Sequence, residues 1–397
     1  AEMLKPLGYA TGQFGKNPLG DRDEHLPTAH GFDEFFGNLY HLNAEEEPEN
    51  EDYPKNPEFK KKFGPRGVIH SFADGRITDT GPLTKKRMET IDEEVNAKAL
   101  DFMERAKQAN KPFFLWWNST RMHIFTHLKA GSAGKTGLGI YADGMVEHDG
   151  HVGQVLAKLK ELGLDQNTIV MYSSDNGAET FTWPDGGTTM FRGEKNTNWE
   201  GGYRVPTLIK WPGVIKPGTV INDIGAHEDM LPTLVAAAGD KTATADLLKG
   251  RSIGGATYKV HLDGYDLGPA FRGEASWPRK EFIYWTDDGS VAALRYDAIK
   301  VTFLRQNALG LRVWQEPFVP LRAPMLTNLR MDPFERAEEE NAMGYQRWYM
   351  ERMFMIAPAG AYVGRWLQSF KDFPPRQKPG SFNLDRVMEA VMSSAQN

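Results

Sequence analysis

The sequence predicts an α/β fold in which a mainly parallel sheet, flanked by helices, is followed by a smaller antiparallel sheet. Short, continuously apolar runs alternate with amphipathic helical patterns, which is the spacing of βαβ units. After about residue 275 the pattern changes to short segments joined by tight turns that contain Asp and Gly. We therefore expect an α/β domain over residues 1–275, and an antiparallel sheet with helices over residues 276–397.

The first helical pattern covers residues 84–109. Within it, apolar residues recur at the i, i+3, i+4 and i+7 positions of one helix face, namely Ala99, Phe102, Met103 and Ala106. The tripeptide Asn-Lys-Pro at 110–112 ends the pattern, and an apolar run follows at 113–117. A continuous apolar run of strand length is typical of a strand buried on both faces, so we expect a buried strand here.

A second amphipathic helix is predicted over residues 142–162, and Gly163 provides its C-terminal cap. The next buried strand is predicted at 168–172, where it ends at Ser-Ser-Asp-Asn, and a third at 207–211. A further helix follows near residues 229–238. In the C-terminal part we expect strands at 282–285, 291–296, 299–303 and 326–330, and helices near 345–354 and 384–392.

The composition argues against several classes of function. The 397 residues are 40% hydrophobic and 25% charged, with a net charge of -6, so a large core is available but a basic nucleic-acid-binding surface is not. The chain has no cysteine, which excludes disulfides, a thiolate nucleophile and a thiolate zinc site. No apolar run approaches the ~20 residues that span a bilayer. We therefore expect no nucleic-acid partner and no membrane partner.

Polar side chains stand at the predicted strand ends, where open parallel sheets bind ligands. Asp175 and Asn176 follow the strand at 168–172, and a carboxylate beside an amide oxygen suits a hard cation such as calcium or magnesium. The alternative is an Asx turn that closes the strand. Two ligands are also too few by themselves, because calcium takes about 6–8 oxygens.

Two basic candidates follow other strands. His123 could donate a hydrogen bond to an anion or protonate a leaving group, although a lone histidine is more often structural. Lys195 lies in a glycine-flanked loop and could bring positive charge to an anionic oxygen, or could be an ordinary surface lysine. The segment Gly-Lys-Asn-Pro-Leu-Gly at 15–20 lacks the spacing of a phosphate-binding P-loop, which we reject.

Three segments carry a resemblance to one family. They are Gly-Tyr-Ala-Thr-Gly-Gln-Phe-Gly-Lys at 8–16, Ser-Asp-Asn-Gly at 174–177, and Arg-Gly-Glu-Lys-Asn-Thr-Asn-Trp-Glu-Gly-Gly at 192–202 with Arg-Val-Pro at 204–206. The first is similar to the second sulfatase signature, the next to a pair of metal ligands, and the last to a lysine loop. The chain thus resembles the type I sulfatase family of the alkaline-phosphatase-like superfamily, and bacterial arylsulfatases in particular.

The resemblance implies an alkaline-phosphatase-like α/β fold and the hydrolysis of sulfate esters, which are small-molecule substrates. It implies that Asp175 and Asn176 ligate one calcium, or sometimes magnesium. Lys16 and Lys195 match the lysines that contact the sulfate and the nucleophile, and His123 matches the histidine near the leaving-group oxygen. A metal and lysines would offset charge on the transferring group, while a general acid would assist departure of the alcohol.

The sequence also departs from the family pattern. The family's nucleophile is a formylglycine made from Cys or Ser in a Cys/Ser-x-Pro/Ala-x-Arg motif, and the printed residues contain no such motif. The nucleophile and the first pair of metal aspartates belong before residue 8, so we expect an N-terminally truncated chain. Pro18 stands where the family has a histidine, and proline can neither titrate nor donate a hydrogen bond.

Three interpretations stay open: a sulfate ester hydrolase, a catalytically inactive pseudo-sulfatase with a structural or binding role, and a promiscuous phosphoester hydrolase. Loss of the first strand should expose an apolar sheet edge, which is a template for pairing with another chain, so we expect a homo-oligomer. The substrate is open among aryl, sugar and alkyl sulfates. The resemblance favours a soluble bacterial protein, of the periplasm or the cytoplasm.

Overall fold

A computed structural model describes residues 1–179, 186–187, 189–339 and 343–375. In chain order its strands are β1 Ala10–Gly15, β2 Glu34–Gly37, β3 Ile69–Phe72, β4 Ile77–Asp79, β5 Phe113–Asn118, β6 Val170–Ser173, β7 Thr207–Lys210, β8 Arg251–Ile253, β9 Ala256–Tyr258, β10 Glu281–Trp285, β11 Val291–Tyr296, β12 Ile299–Arg305 and β13 Val319–Asn328.

The helices are α1 Leu42–Glu46, α2 Pro57–Phe63, α3 Lys85–Met88, α4 Ile91–Gln108, α5 Ile140–Glu161, α6 Glu200–Tyr203, α7 Met230–Ala237, α8 Ala243–Lys249, α9 Gly268–Phe271, α10 Met343–Met350, α11 Ile356–Leu367 and α12 Ser369–Asp372. A 3-10 helix at Gly310–Trp314 precedes β13. The helix predicted at 384–392 lies outside the described residues. Within the described part of the chain, no helix is long and apolar enough to cross a membrane.

The main sheet has five strands in the order β4-β3-β2-β1-β5. Strand β1 pairs in parallel with both β2 and β5, whereas β3 is antiparallel to β2 and to β4. This sheet is therefore mixed, and its parallel part is β2-β1-β5. A separate antiparallel sheet has the order β10-β11-β12-β13. The predicted α/β class with a smaller C-terminal antiparallel sheet is confirmed.

Helix α4 packs against β1 and β5 and forms the largest part of the core. Its buried residues Val95, Ala99 and Phe102 repeat every three or four positions, as the sequence pattern predicts, and they pack with Phe14 of β1. The single helix predicted at 84–109 is divided into α3 and α4, because Thr90 leaves the helical conformation at φ -127°. The helix predicted at 142–162 is confirmed as α5.

Strand β5 lies at an edge of the main sheet. Trp116 is 51% exposed, and the other residues of the strand are half-buried. The prediction of a strand buried on both faces is therefore wrong. Burial needs neighbouring strands, which an apolar run alone does not supply, and among the described residues β5 pairs only with β1. Strands β6 and β7 form their own antiparallel pair, with half-buried or exposed side chains.

One histidine of α5 connects the main sheet to the β6–β7 pair. Its Nδ1 atom lies 3.1 Å from Oγ of Ser119, directly after β5, and its Nε2 atom lies 3.1 Å from the hydroxyl of Tyr172 on β6. The ring of this residue, His148, also stacks on Trp117 with the centroids 5.5 Å apart. Strand β6 and the residue after β5 are thus connected through a single side chain of α5.

The C-terminal sheet is covered by α11. Ile283, Leu294 and Leu326 of the sheet pack against Val363 of this helix. The predicted strands at 282–285, 291–296 and 299–303 correspond to β10, β11 and β12. The fourth, predicted at 326–330, overlaps only the end of β13, which begins at Val319 and ends at Asn328. The helix predicted at 345–354 corresponds to α10, which starts and ends a few residues sooner. Helix α11 was not predicted.

A buried ammonium group joins the C-terminal sheet to the rest of the chain. Lys300 of β12 is fully buried. Its Nζ atom donates hydrogen bonds to Oε1 of Glu200 at 3.1 Å and to Oε1 of Glu335 at 2.8 Å, and a third to the Asn198 carbonyl at 2.7 Å. Burial alone would raise the pKa of Glu200, but the charges of Lys300 and Arg204 outweigh burial and lower that pKa to about 2. Glu200 is therefore ionised at neutral pH.

Replacing Lys300 by methionine would leave Glu200 and Glu335 buried without their shared cation. We expect Lys300→Met to lower the free energy of unfolding by about 3–5 kcal/mol, the usual loss when one partner of a buried ion pair is removed. Urea unfolding followed by circular dichroism measures this change. Lys107→Met, at an exposed position of α4, is the matched control, with an expected change within about 0.5 kcal/mol. Equal stability of the two variants would contradict the prediction.

Candidate functional site

Lys16 directly follows β1, at the carboxyl end of the parallel strands β2, β1 and β5. Its N–H donates to the Asn118 carbonyl at 3.1 Å, and Nδ2 of Asn118 donates to the Lys16 carbonyl at 3.2 Å. Gly15 has φ +109°, and a Cβ atom there would lie 1.8 Å from the Asn118 carbonyl oxygen. Only glycine fits at that position. The end of β1 therefore holds Lys16 against the end of β5.

The loop after β6 carries Asp175 and Asn176. Asp175 is exposed and Asn176 is half-buried. The N–H of Gly177 donates to the Gly202 carbonyl at 2.9 Å, and a Cβ atom on Gly177 would lie 1.7 Å from the Gly201 carbonyl oxygen. The loop is thus in direct backbone contact with the segment at 192–202, which we call the lysine loop.

Lys195 lies in the lysine loop, opposite the same strand end. Its N–H donates to the Ala178 carbonyl at 3.2 Å. Its Nζ atom lies 3.8 Å from Oε1 of Glu179, and both side chains are largely buried. Burial raises the pKa of Glu179, and the Lys195 charge opposes that rise. Lys195, the second lysine predicted for the site, is therefore in contact with the residues that follow Asp175.

The charges of these segments converge on one site. Burial lowers the pKa of the Lys16 ammonium, the charge of Lys195 lowers it further, and the charges of Asp175 and Glu179 act in the opposite direction. Such mutual effects require the groups to lie within a short electrostatic range. Lys16, Lys195 and Asp175, which come from three distant segments, are therefore brought together.

His123 belongs to the same site, where it stacks on His41. The two ring centroids are 5.1 Å apart and the planes are 14° from parallel. Burial, and then the charges of Lys16 and Lys195, lower the pKa of His123 to about 3. The same causes lower the pKa of His41 to about 4. Both imidazoles are therefore neutral at physiological pH, so His123 holds no acidic proton until a negative charge offsets the lysines.

The tautomer of His123 follows from its hydrogen bond. Nδ1 lies 3.1 Å from the Ile124 carbonyl oxygen. A carbonyl oxygen can only accept, so Nδ1 carries the hydrogen of the neutral ring and Nε2 carries the lone pair. Nε2 is therefore the atom that gains or loses a proton when the pKa of His123 changes.

The sequence analysis did not single out His41 or Glu179. His41 immediately precedes α1, soon after a strand of the main sheet, and this position was a usable signal. No sequence feature distinguishes Glu179 from the other acidic residues. Pro18 is exposed in the segment after Lys16, where its ring offers no polar group.

The expected cation site is incomplete in the described residues. Asp175 offers a carboxylate and Asn176 an amide oxygen, which are the right donor types for calcium or magnesium. Across the described ranges, however, no group of three or more His, Cys, Asp or Glu side chains is arranged to hold a metal ion. Because calcium takes about 6–8 oxygens, these two residues do not fit as a calcium site by themselves.

The arrangement is suited to an anion. At His41 the charges of Lys16 and Lys195 outweigh the opposing charge of Asp175, so the potential there is positive. Lysines bind oxyanions as mobile point charges. Nε2 of His123 can exchange a proton in the same place. The site can therefore bind a tetrahedral anionic group and transfer a proton close to it.

Comparison with known proteins gives a consistent result. A family model described as Sulfatase matches residues 1–240. N-acetylgalactosamine-6-sulfatase of Canis lupus familiaris is 32% identical over 289 residues, which cover 72% of this chain and 51% of that protein. Arylsulfatase A of Bos taurus is 30% identical over 357 residues, which cover 84% of this chain and 65% of that protein. The chain thus spans between half and two thirds of the length of these curated relatives.

A solved structure is similar over almost the whole chain. The crystal structure of the PsFucS1 sulfatase from Pseudoalteromonas sp. matches with a TM-score of 0.81 and 26% identity, covering 95% of this chain and 74% of that one. The alkaline-phosphatase-like architecture expected from the sequence is therefore confirmed.

The depressed histidine pKa values can be measured by NMR. We expect the side-chain resonances of His123 and His41 to show no titration from pH 8 down to pH 5, because their pKa values are about 3 and about 4. Below 6.5, the ordinary pKa, the unfolded chain takes up these protons before the folded chain does. The two histidines therefore reduce the free energy of unfolding as the pH falls.

The effect of the Lys195 charge on the pKa of His123 can be tested by substitution. Lys195→Met should raise the pKa of His123, because the Lys195 charge helps to depress it. The surface variant Lys107→Met should leave that pKa unchanged. A wild-type His123 resonance that titrates between pH 6 and 7 would contradict the assigned electrostatics.

Proposed function

The chain belongs to the sulfatase family, and on that premise we propose that it binds sulfate esters at the site formed by Lys16, Lys195 and His123 and acts as a sulfuric ester hydrolase. One observation carries the proposal: lysines from two distant segments, Lys16 and Lys195, both lie close enough to the half-buried His123 to lower its pKa. A monoanionic sulfate ester would add negative charge where the lysine charges outweigh those of the nearby carboxylates. The arylsulfatases and sugar sulfatases among the relatives support the same class of ligand.

Lys16 and Lys195 have the role of binding the sulfate oxygens. Their charges would offset negative charge that builds up on the departing oxygen and on the sulfate. Lys16 approaches from the end of β1, and Lys195 from the lysine loop, so the two ammonium groups reach the anion from different elements. Loss of either lysine should weaken binding of the sulfate group itself.

His123 has the role of proton donor to the leaving-group oxygen. In the free protein its pKa is about 3, because two lysines face it. A bound sulfate ester would offset those charges and raise the pKa, so Nε2 could take up a proton from solvent and pass it to the alcohol. His41, which stacks on His123, would limit the rotation of the ring.

The nucleophile is not assigned. The 397 residues contain neither a cysteine nor a serine in the Cys/Ser-x-Pro/Ala-x-Arg context, and Pro18 provides no proton relay. This observation favours a second candidate function, which is binding of sulfate esters without hydrolysis by these residues. Binding and turnover must therefore be measured separately.

A divalent cation is the third part of the proposal. Asp175 and Asn176 would supply two of its oxygen ligands, and the cation, when bound, would provide positive charge at the sulfate. Calcium or magnesium is the expected ion because both donors are hard oxygens. Since these residues alone do not complete a site, we derive no step of the reaction through the cation.

Isothermal titration calorimetry with inorganic sulfate and with 4-nitrophenyl sulfate tests the binding proposal. We expect both ligands to bind the wild type, and Lys16→Ala and Lys195→Ala to lower the affinity for both by about tenfold or more, as removal of a charged hydrogen-bond donor does. Lys107→Ala is the matched surface control. Release of 4-nitrophenol from the same samples separates hydrolysis from binding without turnover.

Repeating the titrations with calcium tests the cation. If Asp175 ligates it, calcium will tighten sulfate binding by the wild type but not by Asp175→Ala. A wild type that binds neither inorganic sulfate nor the ester, with or without calcium, would overturn the proposed function.

A second copy of the chain is the proposed partner. Strand β5 presents an edge with the half-exposed Trp116, and open edges of this kind pair with other strands. We expect light scattering to give the mass of a dimer or larger homo-oligomer, and Trp116→Lys to shift the protein toward monomer, because charged side chains discourage edge pairing. A wild-type monomer at all concentrations would refute this partner.

A further inference from the structure

We infer that Trp314 determines specificity at this site: its indole stacks on a ring of the alcohol part of the ester. The preferred substrates would then be sulfate esters of ring-bearing alcohols, either aryl or pyranose, and acyclic alkyl sulfates would bind less well. The inference rests on the proposed function and extends it from the sulfate group to the rest of the substrate.

Trp314 comes from the C-terminal part of the chain, yet it lies at the sulfate-binding lysine. It is the last residue of the 3-10 helix Gly310–Trp314. The Nζ atom of Lys195 lies over its ring, 5.7 Å from the centroid. A group held by Lys195 would therefore have the indole as its neighbour.

The backbone of the 3-10 helix that ends at Trp314 is hydrogen-bonded to the residues on either side of Lys195. The N–H of Gly310 donates to Oε1 of Glu194 at 2.9 Å, and Nδ2 of Asn196 donates to the Val313 carbonyl at 2.8 Å. These two bonds lie on either side of Lys195 along the lysine loop, and both are made to residues that precede Trp314 in the 3-10 helix. They fix the backbone of that helix against the backbone of the lysine loop.

A second pair of bonds fixes the chain before the 3-10 helix. Nδ2 of Asn198 donates to the Leu304 carbonyl at 3.0 Å, and its Oδ1 accepts the Gln306 N–H at 3.1 Å. Val313, next to Trp314, is only 1% exposed and anchors the helix in the core. Nε2 of Gln306 donates to the Glu316 carbonyl, after Trp314, at 2.9 Å. The segment is therefore held both before and after residue 314, as expected of a segment that positions a ligand.

The indole itself is accessible, although its backbone is fixed. Trp314 is 46% exposed, and the neighbouring Leu311 is 56% exposed. Lys195 lies within the range of about 6 Å for a cation–π interaction with the ring, but at 5.7 Å it is near the outer limit. A half-exposed tryptophan on a hydrogen-bonded segment, beside an anion-binding lysine, matches a platform for a ring attached to that anion.

Titration calorimetry with four ligands tests the inference: inorganic sulfate, 4-nitrophenyl sulfate, galactose 6-sulfate and hexyl sulfate. We expect the wild type to bind a ring-bearing ester more tightly than hexyl sulfate. Trp314→Ala should weaken binding of that ester by about tenfold, the size of an aromatic stacking contact with its buried area. Its affinity for inorganic sulfate and hexyl sulfate should stay within about twofold.

Two variants control for structure. Trp314→Phe keeps a stacking face and should retain most of the affinity for the ring-bearing ester. Phe63→Ala removes an exposed aromatic side chain of α2, a helix that contributes no residue to the site described above, and should leave all four affinities unchanged. If Trp314→Ala loses affinity for just one of the two ring-bearing esters, that ester identifies the ring that stacks on the indole, aryl or sugar.

Three results would overturn the inference. Unchanged affinities in Trp314→Ala would show that the indole makes no contact. Equal weakening of all four ligands, inorganic sulfate included, would show that Trp314 acts only through Lys195. Absence of sulfate binding by the wild type would overturn the proposed function, and the inference with it, and this result differs from the other two because the wild type itself fails.

Discussion

The position of the lysine loop depends on the buried ammonium group of Lys300. Removing such a group from water is unfavourable by several kcal/mol, and the structure offsets this with carboxylates from both sides of the junction. Glu200 and the Asn198 carbonyl belong to the lysine loop, whereas Glu335 follows β13. The loop cannot leave the C-terminal sheet without leaving charges unpaired, so the placement of Lys195 is maintained by an interaction remote from any chemistry.

The second constraint is repulsion within the site. The ammonium groups of Lys16 and Lys195 disfavour one another and depress the pKa values of His123 and His41. An anion relieves this repulsion and, by the same electrostatics, raises the proton affinity of His123. Under the proposed function, anion binding and proton uptake would therefore be linked, and each would strengthen the other by the same factor.

Local sequence patterns predicted helices and the class of fold, but they did not predict which distant segments of the chain lie together. Helix α4 was predictable because its apolar residues follow one helix face, and Asp175 because it ends a strand. The exposure of Trp116 was not, because an apolar run looks the same in a central and in an edge strand. The grouping of His41 with His123 brings together segments that are far apart in the chain, and no local spacing encodes it.

The hydrogen bonds between the lysine loop and the residues before Trp314 separate two tasks along the chain. Backbone groups of Gly310 and Val313 bond to the side chains of Glu194 and Asn196, and the indole takes no part in those bonds. A substitution at residue 314 would therefore change the surface beside Lys195 while these hydrogen bonds are kept. Under the proposed function, such substitutions would let related proteins diversify toward new alcohols by small mutational steps while they keep the lysines that bind sulfate.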